Sequence, residues 1–398
     1  MTKYVIIIPD GAADEPIDQY GGKTAFEAAH IPHMDHVSSK GRQGLVRTVP
    51  EGFEPGSDVS QMCLLGYDPK RYYSGRAPIE AAARDIKLGM GDWVFRCNLV
   101  TLADGRMVDH SAGHISTQEA ETLIRALADY LSDDGVEFHT GVSYRHLMVC
   151  RGLDFDCYTY PPHDHIGKAV DKILPRGKGA ELLKELMFKS MNFFATHEIN
   201  KIRQDLGENP VSSIWLWGQG RKTVLDSFRK QYGLGGVAIT AVDLVRGLAK
   251  LVGFDLIEVP GATGFYDTNY QGKADAAIKA LDKYDLVFVH IEGPDEASHQ
   301  GNAEIKVKAL ERIDKYIVGP ELGHLSQYDQ WRMLVMPDHP TPIRTCAHSA
   351  EPVPFGMIGT GITSLIHKPF SEANAADSGF RVDKGHELME YFLKSSPR

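Results

Sequence analysis

The sequence predicts an α/β protein: a mostly parallel sheet with helices on both faces, interrupted by an inserted α+β domain. Three observations lead there. Short apolar runs recur, each cut off by Pro or Gly; stretches of helical spacing lie between those of the C-terminal half; and the middle of the chain changes character. An unbroken apolar run is the pattern of a strand covered on both faces. Its alternation with helices is the pattern of a doubly wound sheet.

Taken in order, Tyr4 to Ile8 is the first such run, broken by Pro9-Asp10-Gly11. Ser116-x-x-Glu119 reads as a capping box, followed by Ala120, Ile124, Leu127 and Leu131 on one helical face. Leu256 to Val259 reads as a strand that stops at Pro260-Gly261, and Ala274 to Leu281 as a helix. Leu286 to Ile291 stops just before Gly293-Pro294-Asp295. From Gly301 a helix follows with Ile305, Leu310, Ile313 and Ile317, and Met333 to Met336 then stops at Pro337-Asp338-His339. Three of these four strands therefore deliver an Asp near their C-terminal ends, the edge where open α/β sheets bind ligands. From about Asp92 to Gly235 clean strands thin out and clusters such as Tyr158-Thr159-Tyr160-Pro161-Pro162-His163-Asp164-His165 appear. The expected organisation is one discontinuous domain of residues 1–91 and 236–398, with residues 92–235 inserted.

Composition narrows the function. The 398 residues carry 43 Lys+Arg against 53 Asp+Glu, a net charge of −10. That balance removes the counterion-release term behind nucleic-acid binding, so no nucleic-acid partner is expected. No run is long enough to cross a bilayer, and Val5 to Ile8 is too short for a signal-peptide core. The five cysteines form no CxxC pair, which fits unpaired thiols in a reducing cytoplasm.

The chemistry-bearing residues are acids and histidines. Asp295 and His299 stand at i, i+4 and share a face if their segment is helical. Asp338-His339 ends a strand, His348 comes nine residues later, and Asp10 ends the first strand. Each alone reads better as a cap, a turn or an exposed pair. Together they supply three carboxylates and three imidazoles, enough for two divalent ions with mixed N/O ligands. Paired ions are the usual device for clamping both oxygens of a displacement at phosphorus. Pro55-Gly56-Ser57-Asp58 offers a nucleophile at a sharp turn, Ser57, with Ser60 as the fallback. Lys273 is placed to reach a phosphate. Gly218-Gln219-Gly220 is no dinucleotide fingerprint, and Trp215 and Trp217 read as half-buried strand residues.

These motifs, in this order, resemble the 2,3-bisphosphoglycerate-independent phosphoglycerate mutases of the short archaeal type, in the alkaline phosphatase superfamily. The resemblance rests on Ile8-Pro9-Asp10-Gly11, Pro55-Gly56-Ser57-Asp58 with Gly66-Tyr67-Asp68-Pro69, Pro294-Asp295 with His299, Pro337-Asp338-His339, and His348 before Pro352-Val353-Pro354-Phe355. It implies an alkaline-phosphatase-like sheet and a cytoplasmic enzyme of glycolysis and gluconeogenesis. That enzyme would interconvert 3-phosphoglycerate and 2-phosphoglycerate through a phosphoserine on Ser57. It further implies two divalent ions, Mn²⁺ foremost with Zn²⁺, Mg²⁺ or Co²⁺ as options, and no need for 2,3-bisphosphoglycerate. One ion would be held by Asp295, His299 and His348, the other by Asp10, Asp338, His339 and the Ser57 oxygen. The inserted domain would bind the rest of the substrate, the candidates being Arg96, Asn98, Asp109, His110, His114, Arg145, His163, Asp164 and Arg246, with Lys273. Of these, Arg96, Arg145 and Arg246 suit a carboxylate. The Asp109–His114 stretch holds histidines where the archaeal mutases are richer in arginine. A homoserine kinase of threonine synthesis, resembling a bacterial branch, therefore stands as the alternative, beside a phosphohydrolase or a non-catalytic phosphometabolite binder. Oligomeric state is left open.

Overall fold

The computed structural model describes residues 2–131 and 135–394. The chain folds as two compact units: Met1–Tyr73 with Val224–Arg398, and Ser74–Thr223. The insertion thus begins earlier than residue 92 and ends before 235. The reason lies in the helix Arg76–Ala83, whose Ala77 and Ala81 pack against Val94, Leu147 and Val149 of the second unit's strands. Sequence spacing alone could not assign so short a helix to either side.

The first unit is built on an eight-stranded sheet among the described residues. Its order is Asp255–Leu256, Gly236–Ile239, Leu286–Ile291, Lys3–Pro9, Trp331–Val335, Val353–Gly359, Arg42–Val46 and Arg381–Val382. Lys3–Pro9 pairs in parallel with Leu286–Ile291 on one side and Trp331–Val335 on the other. Val353–Gly359 alone runs antiparallel to its neighbours. From Tyr4 to Pro9 every residue of the first strand is buried, as its unbroken β-branched run requires. The sheet is mostly parallel, as expected.

One strand differs. Of the expected Leu256–Val259 run only Leu256 falls in a strand, Asp255–Leu256, because it lies at the sheet edge and Pro260 stops its extension. The inner strand beside it, Gly236–Ile239, is too short to signal itself in the sequence. The expected helices are present as Thr117–Tyr130, Tyr270–Ala280 and Ala303–Ile313, the first with both bonds of the Ser116/Glu119 capping box. No helix among the described residues is long and apolar enough to cross a membrane.

The second unit centres on the strand Trp93–Ala103, flanked antiparallel by Arg145–Cys150 and Ser213–Arg221. Phe95, Leu99, Leu123, Leu127, Leu183, Met187 and Trp215 form its core. It is an α+β unit with helices packed on an antiparallel sheet.

One buried group carries a stability prediction. Glu321, on the helix Gly319–Leu325, is fully buried, and neither carboxylate oxygen has a hydrogen-bond partner among the described residues. Burial pushes its carboxyl up to about 8. The folded state therefore binds the proton more tightly than the unfolded state, so stability falls as pH rises from the ordinary glutamate value towards 8. Glu321→Met should remove that loss. The variant is expected to gain about 1–3 kcal/mol over the parent at pH 8, and much less at pH 5, in urea titrations. Equal differences at both pH values would show that the carboxyl is not the cause.

Candidate functional site

Three parallel strands place the acids. Lys3–Pro9 lies between Leu286–Ile291 and Trp331–Val335, so Asp10, His290, Asp338 and His339 emerge side by side. The chain after Ile291 turns at once into the helix Gly293–His299, which puts Asp295 and His299 on one face. Their carboxylate and imidazole approach to 3.1 Å, and His348 Nε2 lies 3.0 Å from His299 Nε2 and 3.6 Å from Asp295 Oδ1.

Two donor sets result. Asp295, His299 and His348 each offer an atom within 4.8 Å of the others, and Asp10, Asp338 and His339 do the same. The sets adjoin, with the His339 and His348 rings 4.1 Å apart. Thr341 joins them: its Oγ1 donates to Asp295 Oδ1 at 2.6 Å and lies 3.2 Å from His339 Nδ1. With its own proton given to Asp295, that hydroxyl accepts from His339 Nδ1–H. The Nε2 lone pair of His339 then faces Asp10 and Ser57. His299 is oriented the same way, its Nδ1–H donating to the Cys346 carbonyl at 2.9 Å. Fixing one ring nitrogen by a hydrogen bond leaves the other as a ligand.

The donors fit divalent cations. Asp10 is fully buried; its Oδ2 accepts from His290 at 2.6 Å and from Gln61 at 3.3 Å, yet its Oδ1 has no hydrogen-bond partner among the described residues and faces His339 Nε2 at 3.6 Å. Burial and the neighbouring Asp338, Glu292 and Asp295 carboxylates push the Asp10 carboxyl well above its ordinary range. A buried acid crowded by acids, with one oxygen aimed at a histidine lone pair, is a site short of positive charge. On the other set burial opposes charge, but Asp295 outweighs it and holds His299 at about 9.

A third grouping, Asp10, His290 and Glu292, shares Asp10. Burial drives His290 down to about 3, so the ring is neutral and both nitrogens are engaged, by Thr240 at 3.1 Å and by Asp10. His290 therefore orients Asp10.

Ser57 is the first residue of the helix Ser57–Leu64, whose N-cap is Gly56. Its Oγ lies 3.0 Å from His339 Nε2. Ser60 is fully buried, its hydroxyl donating to Asp338 Oδ2 at 2.8 Å. Asp338 Oδ1 accepts from the Gly11 and His339 amides at 3.1 and 2.9 Å. Gly11 has φ +60°, and a Cβ there would stand 2.2 Å from Asp295 Oδ1. Only glycine fits between the two donor sets.

The remaining candidates divide between the units. Lys273 is buried in the first unit, its Nζ donating to the His290 carbonyl at 2.8 Å, and burial lowers its ammonium to about 8. Arg246 pairs with Glu258 at 2.8 Å, and no described contact ties it to the acids or to Ser57. In the second unit Arg96 and Asn98 lie two residues apart along one strand, and Arg145 lies directly opposite Asn98. The His163 ring packs on Trp217 at 5.2 Å and on His110 at 6.1 Å, and His110 packs on Tyr144. His114 and Asp164 are exposed, the first with φ +50°. Asp109 accepts from Ser111, Gly113 and Asn209, and these bonds outweigh burial and hold its carboxyl at about 2, so it pins its own loop. Thr341, His290, Gln61 and Trp217 escape the sequence reading. All four stood in or beside segments that the sequence singles out, but their residue types are common and their partners lie far away in the sequence.

The family model described as 2,3-bisphosphoglycerate-independent phosphoglycerate mutase matches residues 38–200. The chain is 49% identical over 397 residues to the 2,3-bisphosphoglycerate-independent phosphoglycerate mutase of Methanosarcina acetivorans, covering 98% of this chain and 100% of the relative. With the enzyme of the same name from Methanosarcina barkeri it shares 46% over 398 residues, 99% and 100% of the two chains. Among solved structures, a Pyrococcus horikoshii protein superposes with TM-score 0.81 at 28% identity, covering 98% of this chain and 96% of that one. The cofactor-independent phosphoglycerate mutase of Thermoplasma acidophilum gives TM-score 0.66 at 26% identity, covering 99% of both chains. Identity at this level, sustained from end to end, shows that the chain belongs to the 2,3-bisphosphoglycerate-independent phosphoglycerate mutase family.

Proposed function

We propose that the protein interconverts 3-phosphoglycerate and 2-phosphoglycerate, passing the phosphoryl group through Ser57 between two divalent ions. The observation that carries this reading is the Ser57 hydroxyl at 3.0 Å from His339 Nε2, beside two three-residue donor sets. Asp295, His299 and His348 would hold one ion, and Asp10, Asp338, His339 and the Ser57 oxygen the other. Bound there, such ions supply Lewis acidity, lowering the cost of a serine alkoxide and of charge on the phosphoryl oxygens. Imidazole with carboxylate suits Mn²⁺ or Zn²⁺, and the family resemblance puts Mn²⁺ first.

The chain's own residues do the rest. Ser57 Oγ gives up its proton and bonds to phosphorus as the bond from phosphorus to one glycerate oxygen breaks, and that oxygen takes the proton up; the return step reverses both transfers. Ser57 opens its helix, so the transferred phosphoryl lies at the positive helix end. Glycerate then reorients, its second hydroxyl attacks the phosphoserine, and Ser57 leaves. Arg96 and Arg145 are the forks suited to the carboxylate meanwhile. The relatives' names favour this reaction over homoserine phosphorylation.

The test is product analysis by phosphorus NMR. Pure protein with Mn²⁺ and 3-phosphoglycerate is expected to reach the same mixture of 3- and 2-phosphoglycerate from either side. Unchanged phosphoglycerate, together with phosphohomoserine made from homoserine and ATP, would reassign the reaction while leaving the site intact.

A further inference from the structure

The second unit contains a buried arginine held in a fixed orientation. Arg96 is 5% exposed, on the central strand of its sheet. Its Nε donates to Glu80 Oε2 at 3.0 Å, while Glu80 Oε1 accepts from Arg76 Nε at 3.0 Å. Trp217, directly opposite on the neighbouring strand, covers the guanidinium face, with Cζ 4.2 Å from the ring centroid. Trp217 is itself fixed by its indole N–H, which donates to Asn98 Oδ1 at 3.1 Å. One edge and one face of Arg96 are therefore fixed. Its two Nη atoms have no hydrogen-bond partner among the described residues.

A fork of two parallel N–H donors that no described residue engages matches a carboxylate. Charge agrees, since Arg76 and Arg145 both lie near enough to act on Arg96, and Glu80 is the counter-charge among them. A buried ion pair is seldom kept for stability, because desolvation consumes most of its attraction. Its use here is orientation.

We infer that Glu80 and Trp217 are positioning residues that hold Arg96 as the determinant of specificity for a substrate carboxylate. The inference rests on the phosphoglycerate reading, and names the residues that make the site select an acid over a plain phosphate ester. A purely electrostatic role for Glu80 has the opposite sign: without its negative charge the pocket would attract any anion more strongly.

The test uses the full chain loaded with Mn²⁺. Calorimetry measures the affinity of 3-phosphoglycerate, which has the carboxylate, and of glycerol 3-phosphate, which lacks it. The parent should prefer the acid by tenfold or more. Glu80→Gln and Trp217→Leu should each weaken 3-phosphoglycerate at least tenfold while glycerol 3-phosphate stays within twofold, with KM rising more than kcat falls. Trp217→Phe, which keeps the ring face, should restore most of the preference. Tighter binding of both ligands in Glu80→Gln would overturn the inference. So would equal weakening of both, or a parent with no preference. Affinity and turnover are separate readouts, so a parent that binds the acid selectively yet does not isomerise it counts against the reaction and not against these residues. Should Glu80→Gln fail to fold, Trp217→Leu and Trp217→Phe carry the test alone.

Discussion

Ser57→Ala is expected to lower mutase turnover at least ~10³-fold while leaving the fold and most of the metal affinity intact, as removal of a covalent nucleophile does. The side chain lost is small and half-buried, and it caps nothing, since the N-cap is Gly56 and no side-chain cap bond is made there. Stability should therefore stay within about 1 kcal/mol of the parent. No second hydroxyl stands in: the Ser60 hydroxyl is buried and spent on Asp338. Ser60→Ala should reduce turnover by misplacing Asp338 but should not abolish it. Rapid quench with labelled 3-phosphoglycerate, followed by peptide mapping, should find the label on Ser57. Label on Ser60, or more than a few per cent of parental turnover in Ser57→Ala, would refute the assignment.

The two donor sets were legible in the sequence because strands terminate visibly. Tyr4 to Ile8, Leu286 to Ile291 and Met333 to Met336 are unbroken apolar runs, and in a parallel sheet the residues just past the end of such a run fall at the ligand-binding edge. The i, i+4 spacing of Asp295 and His299 depended on a helix, and Gly293–His299 provides it. Residues that act through a partner distant in sequence stayed hidden. Thr341 bonds Asp295 across 46 positions, His290 bonds Asp10 across 280, and Glu80 meets Arg96 only because a short helix packs on that strand. A threonine, a strand histidine and a helix glutamate carry no local signal. The same limit moved the domain border, since Arg76–Ala83 reads as a helix without saying which core it caps. Arg246 shows the converse: an arginine suited to an anion by type alone is paired with Glu258.

Removal of metal should be the largest single perturbation of the first unit, and the two ions should be separable. A ligand at a hundred times its dissociation constant stabilises the folded state by about 2.7 kcal/mol, so two ions contribute roughly twice that, and chelator should lower thermal stability and abolish turnover together. Asp338→Ala should lose one ion and retain the other, because Asp295, His299 and His348 share no residue with its set. His299→Ala should do the reverse. The folding costs differ in kind. Asp338→Ala leaves the Gly11 and His339 amides and the Ser60 hydroxyl without their acceptor, a penalty of about 1–3 kcal/mol for each group that stays unpaired. It also removes a carboxylate that crowds the buried Asp10, which offsets part of that penalty. Metal-free Asp338→Ala should therefore be less stable than the metal-free parent by a few kcal/mol, and in saturating Mn²⁺ the gap should widen by the contribution of the missing ion. Thermal melts with and without Mn²⁺, beside metal analysis of the dialysed proteins, read both quantities. Two ions retained in Asp338→Ala, or none bound by the parent at saturating Mn²⁺, would show that these carboxylates and imidazoles converge for some purpose other than holding metal.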